Sequence, residues 1–233
     1  MLHFDLLTLF PELFRSFLSE SLIGKALEKQ LFQVELNNFR EFGLGTHHQV
    51  DDEPFGGGPG MLLRVEPIAE ALKTREQHHR QNDRSVKKVL LTPQGKPFNQ
   101  KKAMQWSESE EVLVLVCGRY EGFDERIRGL IDEEVSGGDF VCFGGEVVAM
   151  LIIETVSRLV PGVLGNPGSP GTESFADNLL EYPQYTRPRT YQGMEVPEAL
   201  LSGNHSRIQA WRETQALERT RKRRPDLLTQ SIE

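Results

Sequence analysis

Through about residue 160, apolar positions fall into short runs rich in β-forming residues, and between them lie stretches whose apolar residues return every three or four positions. The runs at 4–9, 32–37, 88–91, 112–116 and 140–143 predict strands. The intervening stretches predict helices over 11–18, 22–29, 67–75 and 124–131, the first opening on Pro11, whose fixed φ suits an initial helical turn. Strands alternating with helices imply an α/β domain on a largely parallel sheet. The stretch 146–160, EVVAMLIIETVSRLV, is apolar on almost every face until its last two turns, so it predicts a helix buried in the core or packed against a partner subunit. The glycine, proline and serine run PGVLGNPGSPGTES that follows cannot continue a helix and reads as a linker. Beyond it the chain is polar and helix-prone, notably over 206–221, enough for a small bundle. The expected organisation is an α/β domain over 1–161, a linker over 162–176 and an all-α domain over 177–233, with no internal repeat.

Charge changes this picture only at the C-terminal end. A net charge of -7 over 233 residues argues against a whole-molecule grip on a polyanion. Between Asn204 and Pro225, however, seven basic residues (Arg207, Arg212, Arg219, Arg221, Lys222, Arg223, Arg224) face two acidic ones. That segment suits phosphate contact, and equally a solvated helix face. Cys117 and Cys142 each sit among apolar neighbours and read as small buried hydrophobes of a reducing compartment, without metal-like spacing. No apolar run approaches the roughly 18 residues of a bilayer span, and MLHFDLLTLFPELF lacks the marks of a signal peptide. A soluble, cytoplasmic protein without membrane contact is expected.

Four glycine-rich turns carry the candidate chemistry. DDEPFGGGPGM (51–61) is a binding loop by composition, yet it matches neither the phosphate loop of nucleotide hydrolases nor the dinucleotide turn. LLTPQG (90–95) and CGRYEGFDERI (117–127) each end a strand in a turn, where open α/β sheets bind ligands. SGGDFVCFGGE (136–146) is an extended segment whose backbone groups can read an adenine edge without any special side chain. Taken singly, each turn is also explained as a shaped loop, and Glu121, Asp124 and Glu125 as helix-capping acids. The six histidines include two adjacent pairs, His47 with His48 and His78 with His79, a spacing that directs side chains apart, so no protein-held metal is expected.

Together with SRLVPGVLGN, ESFADNLLEYPQYTRP and VPEALLSGNH, these motifs resemble, in order and spacing, the bacterial tRNA (guanine-N(1)-)-methyltransferases of the SPOUT class, over nearly the whole chain. The resemblance implies a parallel sheet with a deep C-terminal trefoil knot at about 85–160, followed by a small all-α RNA-binding domain. It also implies homodimers with each active site at the subunit interface, and S-adenosyl-L-methionine bound mainly by the backbone of three loops. On this chain those loops hold Leu91, Thr92, Pro93 and Gly95; Gly118, Arg119, Tyr120, Glu121 and Gly122; and Ser136, Gly137, Gly138, Asp139, Phe140, Val141, Cys142, Gly144 and Gly145. The third loop departs from the family's usual SIGDYVLSGGE, which implies weaker apolar contact to the adenine and unchanged backbone contacts.

The matched catalytic pair is Asp177, as the base that removes the guanine N(1) proton, and Arg158, stabilising charge that develops on O(6). Burial would suit the carboxylate to that task. Without the family, Asp177 reads as a helix cap and Arg158 as the ion-pair partner of Glu154 four residues earlier. The substrate implied is the anticodon stem-loop of transfer RNA, touched by Asp52, Gly57, Gly58, His205, Arg207, Arg212, Arg219 and Arg223, with the linker ordered on RNA binding. A magnesium requirement is also implied, with no sequence feature to place the ion. A noncatalytic RNA-binding protein and a ribose methyltransferase of the same class are the alternatives.

Overall fold

A computed structural model of the chain describes residues 1–166 and 173–229. In the interior of its sheet lies β1 (His3–Thr8), buried along its entire length. Phe4 and Leu6 enter one apolar layer and Leu7 the other, so β1 must be covered on both faces, as parallel sheets are. β2 (Gln33–Asn38) follows after a 3-10 turn at Pro11–Phe14, α1 (Arg15–Ser19) and α2 (Ser21–Glu28). A short antiparallel pair, β3 (Asp51–Asp52) and β4 (Leu62–Leu63), brackets the glycine-rich loop, and α3 (Val65–Arg80) leads into β5 (Val86–Pro97). Then come α4 (Gln100–Ser107), β6 (Val112–Cys117), β7 (Glu133–Ser136) and α5 (Glu146–Ser157).

The sheet runs β2-β1-β6-β5-β7, every pair parallel. Ala26 of α2, Trp106 of α4, and Ala149, Ile152, Ile153 and Val156 of α5 fill the layer on one face; Ile68, Ala71 and Leu72 of α3 fill the other. Leu91 of β5 is level with Cys117 of β6 and Val135 of β7, so three strands end side by side. Residues 92–95 bulge out of β5 before Lys96 pairs with Val135 again.

Several elements differ from the sequence expectation. Residues 140–143 are irregular, because Gly137 and Gly138, the latter at φ 143°, end the strand at Ser136 and leave Phe140, Val141 and Phe143 exposed. β7 takes their place through EEVS, whose acids pair with Lys102 and Arg128 at the sheet edge while Val135 enters the core. α4 forms where no helix was expected, capped by the Asn99 side chain accepting from Lys102 N at 2.9 Å. Residues 125–130 form a 3-10 helix, capped by Asp124. α5 stops at Ser157, ahead of Pro161.

The chain divides into two units, Met1–Gly165 and Asn166–Glu233. The expected linker, 162–176, includes 167–172, which lie outside the described residues. Within the second unit, α6 (Glu198–Leu201), α7 (His205–Arg223) and α8 (Asp226–Thr229) follow a hairpin of β8 (Thr190–Tyr191) and β9 (Met194–Glu195). That hairpin corrects the all-α expectation. Gln192 and Gly193 both take positive φ, 51° and 78°, the turn geometry whose twist matches paired strands.

Candidate active site

The side-by-side ends of β5, β6 and β7 open a pocket enclosing about 610 Å³ of space, solvent mouth included. Leu91, Thr92 and Pro93 form one wall, and Gly118, Arg119, Tyr120, Glu121 and Gly122 the second. The third comes from Ser136, Gly137, Phe140, Val141, Cys142, Gly144 and Gly145. Of the residues expected at a cofactor, Gly95, Gly138 and Asp139 do not line it. Gly95 lies against the backbone of Glu134 and Val135, leaving no room for a side chain, so its role is to let β5 close on β7. Val135, Phe143 and Val148 line the pocket without having been anticipated. Phe143 stood inside the quoted motif, and Val148 is signalled only by the apolar turn that opens α5.

Close backbone approach explains the glycines. A Cβ on Gly145 would stand 2.8 Å from Cys117 Cα, and Gly145 N–H donates to the Gly118 carbonyl at 3.0 Å, stitching the third loop to the second. Tyr120 holds φ 58°, a strained setting for a bulky residue at a binding wall. Behind the wall, Thr8 Oγ1 donates to Glu146 Oε1 at 2.7 Å, and Glu146 Oε2 lies 2.9 Å from Arg119 Nη2. Arg119 also stacks over the Phe10 ring, 4.5 Å from its centroid. Burial, and after it the charge of Glu146, pushes the Cys117 thiol up, so Cys117 is an inert buried group. Cys142 corrects the expectation of two buried cysteines: it is exposed, because its loop leaves the sheet.

The glycine-rich loop is anchored to this pocket at one end. Glu121 N–H donates to the Met61 carbonyl at 3.0 Å, Leu63 N–H to the Gly122 carbonyl at 2.9 Å, and a side chain on Gly60 would collide with Glu121. Gly57 and Gly58 take φ 77° and 137° at the exposed end, and Asp52 pairs with Arg64 at 2.6 Å. Asp124, the acid of the FDER motif, accepts from both the backbone and the side chain of Arg126, which holds its carboxyl at about 2. It is a cap, in keeping with the bland reading of that residue.

Arg158 caps the C-terminus of α5 in the first unit. Asp177 belongs to the second, where it borders a groove with Glu173, Leu180, Glu181, Tyr182, Arg212 and Glu213. No helix follows it: residues 174–180 form turns, with Phe175 and Asn178 at φ 76° and 56°, which removes the cap reading. Asp177 is exposed, so this unit alone does not supply the burial that suits a base. Arg212 stacks on Tyr182 at 4.8 Å, and Arg219 donates to the Glu181 carbonyl at 3.1 Å, so both tie α7 to the segment carrying Asp177. Arg207 and Arg223 are exposed, as is His205 at the start of α7, beside the Asn204 cap.

The histidines hold one surprise. His78 and His79 have rings 5.0 Å apart instead of diverging, and His3, Glu35 and His79 bring ligand-type atoms within 4.8 Å of one another. Two guanidinium groups occupy this cluster: Arg75 pairs with Asp5 and Glu35, and Arg84 donates to His3 Nδ1 at 2.7 Å. Their positive charge opposes a divalent ion there.

Comparison with known proteins gives these loops a common context. A family model described as tRNA (Guanine-1)-methyltransferase TrmD matches residues 2–230. The tRNA (guanine-N(1)-)-methyltransferase of Latilactobacillus sakei subsp. sakei (strain 23K) is 52% identical over 224 residues, 96% of this chain and 89% of that protein. The enzyme of the same name from Syntrophotalea carbinolica (strain DSM 2380 / NBRC 103641 / GraBd1) is 53% identical over 225 residues, 97% of this chain and 89% of its own. That of Enterococcus faecalis (strain ATCC 700802 / V583) is 52% identical over 229 residues, 98% and 92%. With half its residues shared over nearly all its length, and with the glycine turns of three adjacent strand ends gathered on one pocket, this chain belongs to the tRNA (guanine-1)-methyltransferase family.

Proposed function

We propose that this protein transfers the methyl group of S-adenosyl-L-methionine to N(1) of the guanosine immediately 3′ of the anticodon in transfer RNA, as a cytoplasmic homodimer with its active site at the subunit interface. The observation that carries the proposal is the pocket at the ends of β5, β6 and β7, made of the family's own turns. Its walls fit the cofactor: Leu91, Val135, Phe140 and Val148 offer apolar surface to an adenine, and Gly118, Gly144 and Gly145 leave backbone groups approachable. When bound, the cofactor supplies a methyl group already activated by its sulfonium charge.

The protein's task is then to make the acceptor nucleophilic. Asp177 removes the N(1) proton as the methyl arrives, and Arg158 stabilises negative charge on O(6). Asp177 is exposed on its own unit, so bound RNA completes its surroundings and couples catalysis to the right substrate. Arg207, Arg223 and His205 contact the anticodon stem, largely through phosphates, while Asp52, Gly57 and Gly58 face the RNA from the first unit. The pairing of β5 with β7 across a bulge, and the return of Gly145 to Gly118, support a chain threaded as a trefoil knot over about 85–160. Magnesium belongs to this reading as a required ion without an assigned residue. The absence, among the described residues, of any helix long and apolar enough to cross a membrane accords with action on RNA in the cytoplasm.

The test is incubation with labelled S-adenosyl-L-methionine and unmodified transfer RNA bearing guanosine after a guanosine-ended anticodon, followed by nucleoside analysis. 1-Methylguanosine is expected; a methylated ribose, or no label transferred, overturns the proposal. Asp177→Ala is expected to abolish transfer while cofactor binding persists, and an active, folded variant would remove Asp177 from its role.

A further inference from the structure

Glu146 opens α5 only 1% exposed, and it does not itself line the pocket. Burying a carboxylate is costly unless it is paired, so its partners define its purpose. Thr8 Oγ1 holds Oε1 at 2.7 Å, fixing the carboxylate to the end of β1. Oε2 lies 2.9 Å from Arg119 Nη2 but lacks hydrogen-bond alignment, so that contact is held by charge. Arg119 does line the pocket, its side chain 20% exposed, and among the described residues lining it Arg119 is the one cation and Glu121 the one anion. Gly144 lines the pocket beside Arg119 and abuts the pair, and any side chain there would strike both Arg119 Nε and Glu146 Oε2. The wall there is kept thin over an ion pair.

We propose that Glu146 is a positioning residue that neutralises Arg119, so that the pocket accepts a sulfonium cation without repulsion, and that it thereby sets the balance between the methyl donor and its demethylated product. This rests on the reading that the pocket takes S-adenosyl-L-methionine. Donor and product share their adenosine, carboxylate and ammonium groups and differ by one methyl and one positive charge. The ratio of their dissociation constants therefore isolates the charge of the wall.

Calorimetric titration of the full chain with S-adenosyl-L-methionine and with S-adenosylhomocysteine provides the test, alongside thermal unfolding. Glu146→Gln keeps the side chain's shape and leaves the guanidinium unopposed; donor affinity is expected to fall about tenfold more than product affinity, the order of one partly screened charge–charge interaction. Arg119→Met leaves the carboxylate unopposed and shifts the ratio the opposite way, and the double variant returns it towards wild type. Thr8→Val, which removes a hydrogen bond but no charge, leaves the ratio unchanged. Equal weakening of both molecules in Glu146→Gln, or an unmoved ratio in Arg119→Met should the first variant not fold, overturns the proposal. Wild-type protein that binds neither molecule instead overturns the cofactor reading beneath it.

Discussion

Asp5 is fully buried in β1, yet it is surrounded by donors: Arg75 Nε at 2.6 Å, His79 Nε2 at 2.7 Å and Asn37 Nδ2 at 2.7 Å. Burial opposes its charge, and the hydrogen bonds from His79 and Arg75 outweigh that, so its pKa is lowered below 3.8. His3 nearby is lowered below 6.5, chiefly by burial, with Glu35 working the other way. Both groups bind protons less readily folded than unfolded, so their contributions are present at high pH and lost on acidification. For His3 the loss begins as pH drops through 6.5, and for Asp5 below 3.8. Denaturant unfolding across pH 8 to 3 should show stability declining in that order, and a rise on acidification would contradict the network. Asp5→Asn is expected to cost about 3–5 kcal/mol, because it strands two buried donors; a loss under about 1 kcal/mol would show the pairs to be dispensable. None of this was legible in the sequence, since Arg75 and His79 lie some 70 residues from Asp5 and only folding brings them together. Cys142 was misjudged for a related reason, because apolar neighbours mark burial only where the chain stays in the sheet.

Elements were more legible, and unevenly so. β1, β2 and β6 lie within a residue or so of their expected ends: β6, covered on both faces, reads as an unbroken apolar run, whereas the edge strand β2 alternates Val34 and Leu36 with polar residues. β7 was hidden by its acids, and α4 by the absence of an apolar stripe, with only Ala103 and Trp106 buried. The pocket loops were visible through their glycines, whereas the thin wall at Gly144 needed coordinates. α5 was expected to be apolar nearly all round, and it is: Ala149, Ile152, Ile153 and Val156 face the core while Val147 and Leu151 remain 65% and 47% exposed one turn apart. The 3-10 turn at Pro11–Phe14, which packs on α5, exposes Leu13 as well. In the homodimer proposed above, this strip is the surface we place against its copy. Leu151→Glu is therefore expected to convert dimer to monomer in sedimentation experiments and to abolish methyl transfer, with the melting of the monomer little changed; an unaltered dimer would place the interface elsewhere.

At the scale of the whole molecule, an overall charge of -7 coexists with a basic run on α7, so the proposed phosphate contacts fall mainly in one unit. Arg207→Ala and Arg223→Ala should each weaken transfer RNA binding across sequences and reduce the slope of log affinity against log salt by about one, measured by filter binding. An unchanged slope would mean that these side chains touch no phosphate. Arg212 and Arg219 differ, since they brace the segment carrying Asp177, and their replacement should disturb that segment's position before it alters the salt slope.

The hydrogen bond from Thr8 to Glu146 spans 138 residues, and β1 needs β6 beside it before either is covered. Translation therefore delivers the start of this support behind the pocket wall long before its end. For the cofactor pocket proposed above, a nascent chain halted ahead of α5 is expected to retain no nucleoside ligand, and ribosome-tethered chains of increasing length should acquire that capacity abruptly, once Glu146 has cleared the exit tunnel.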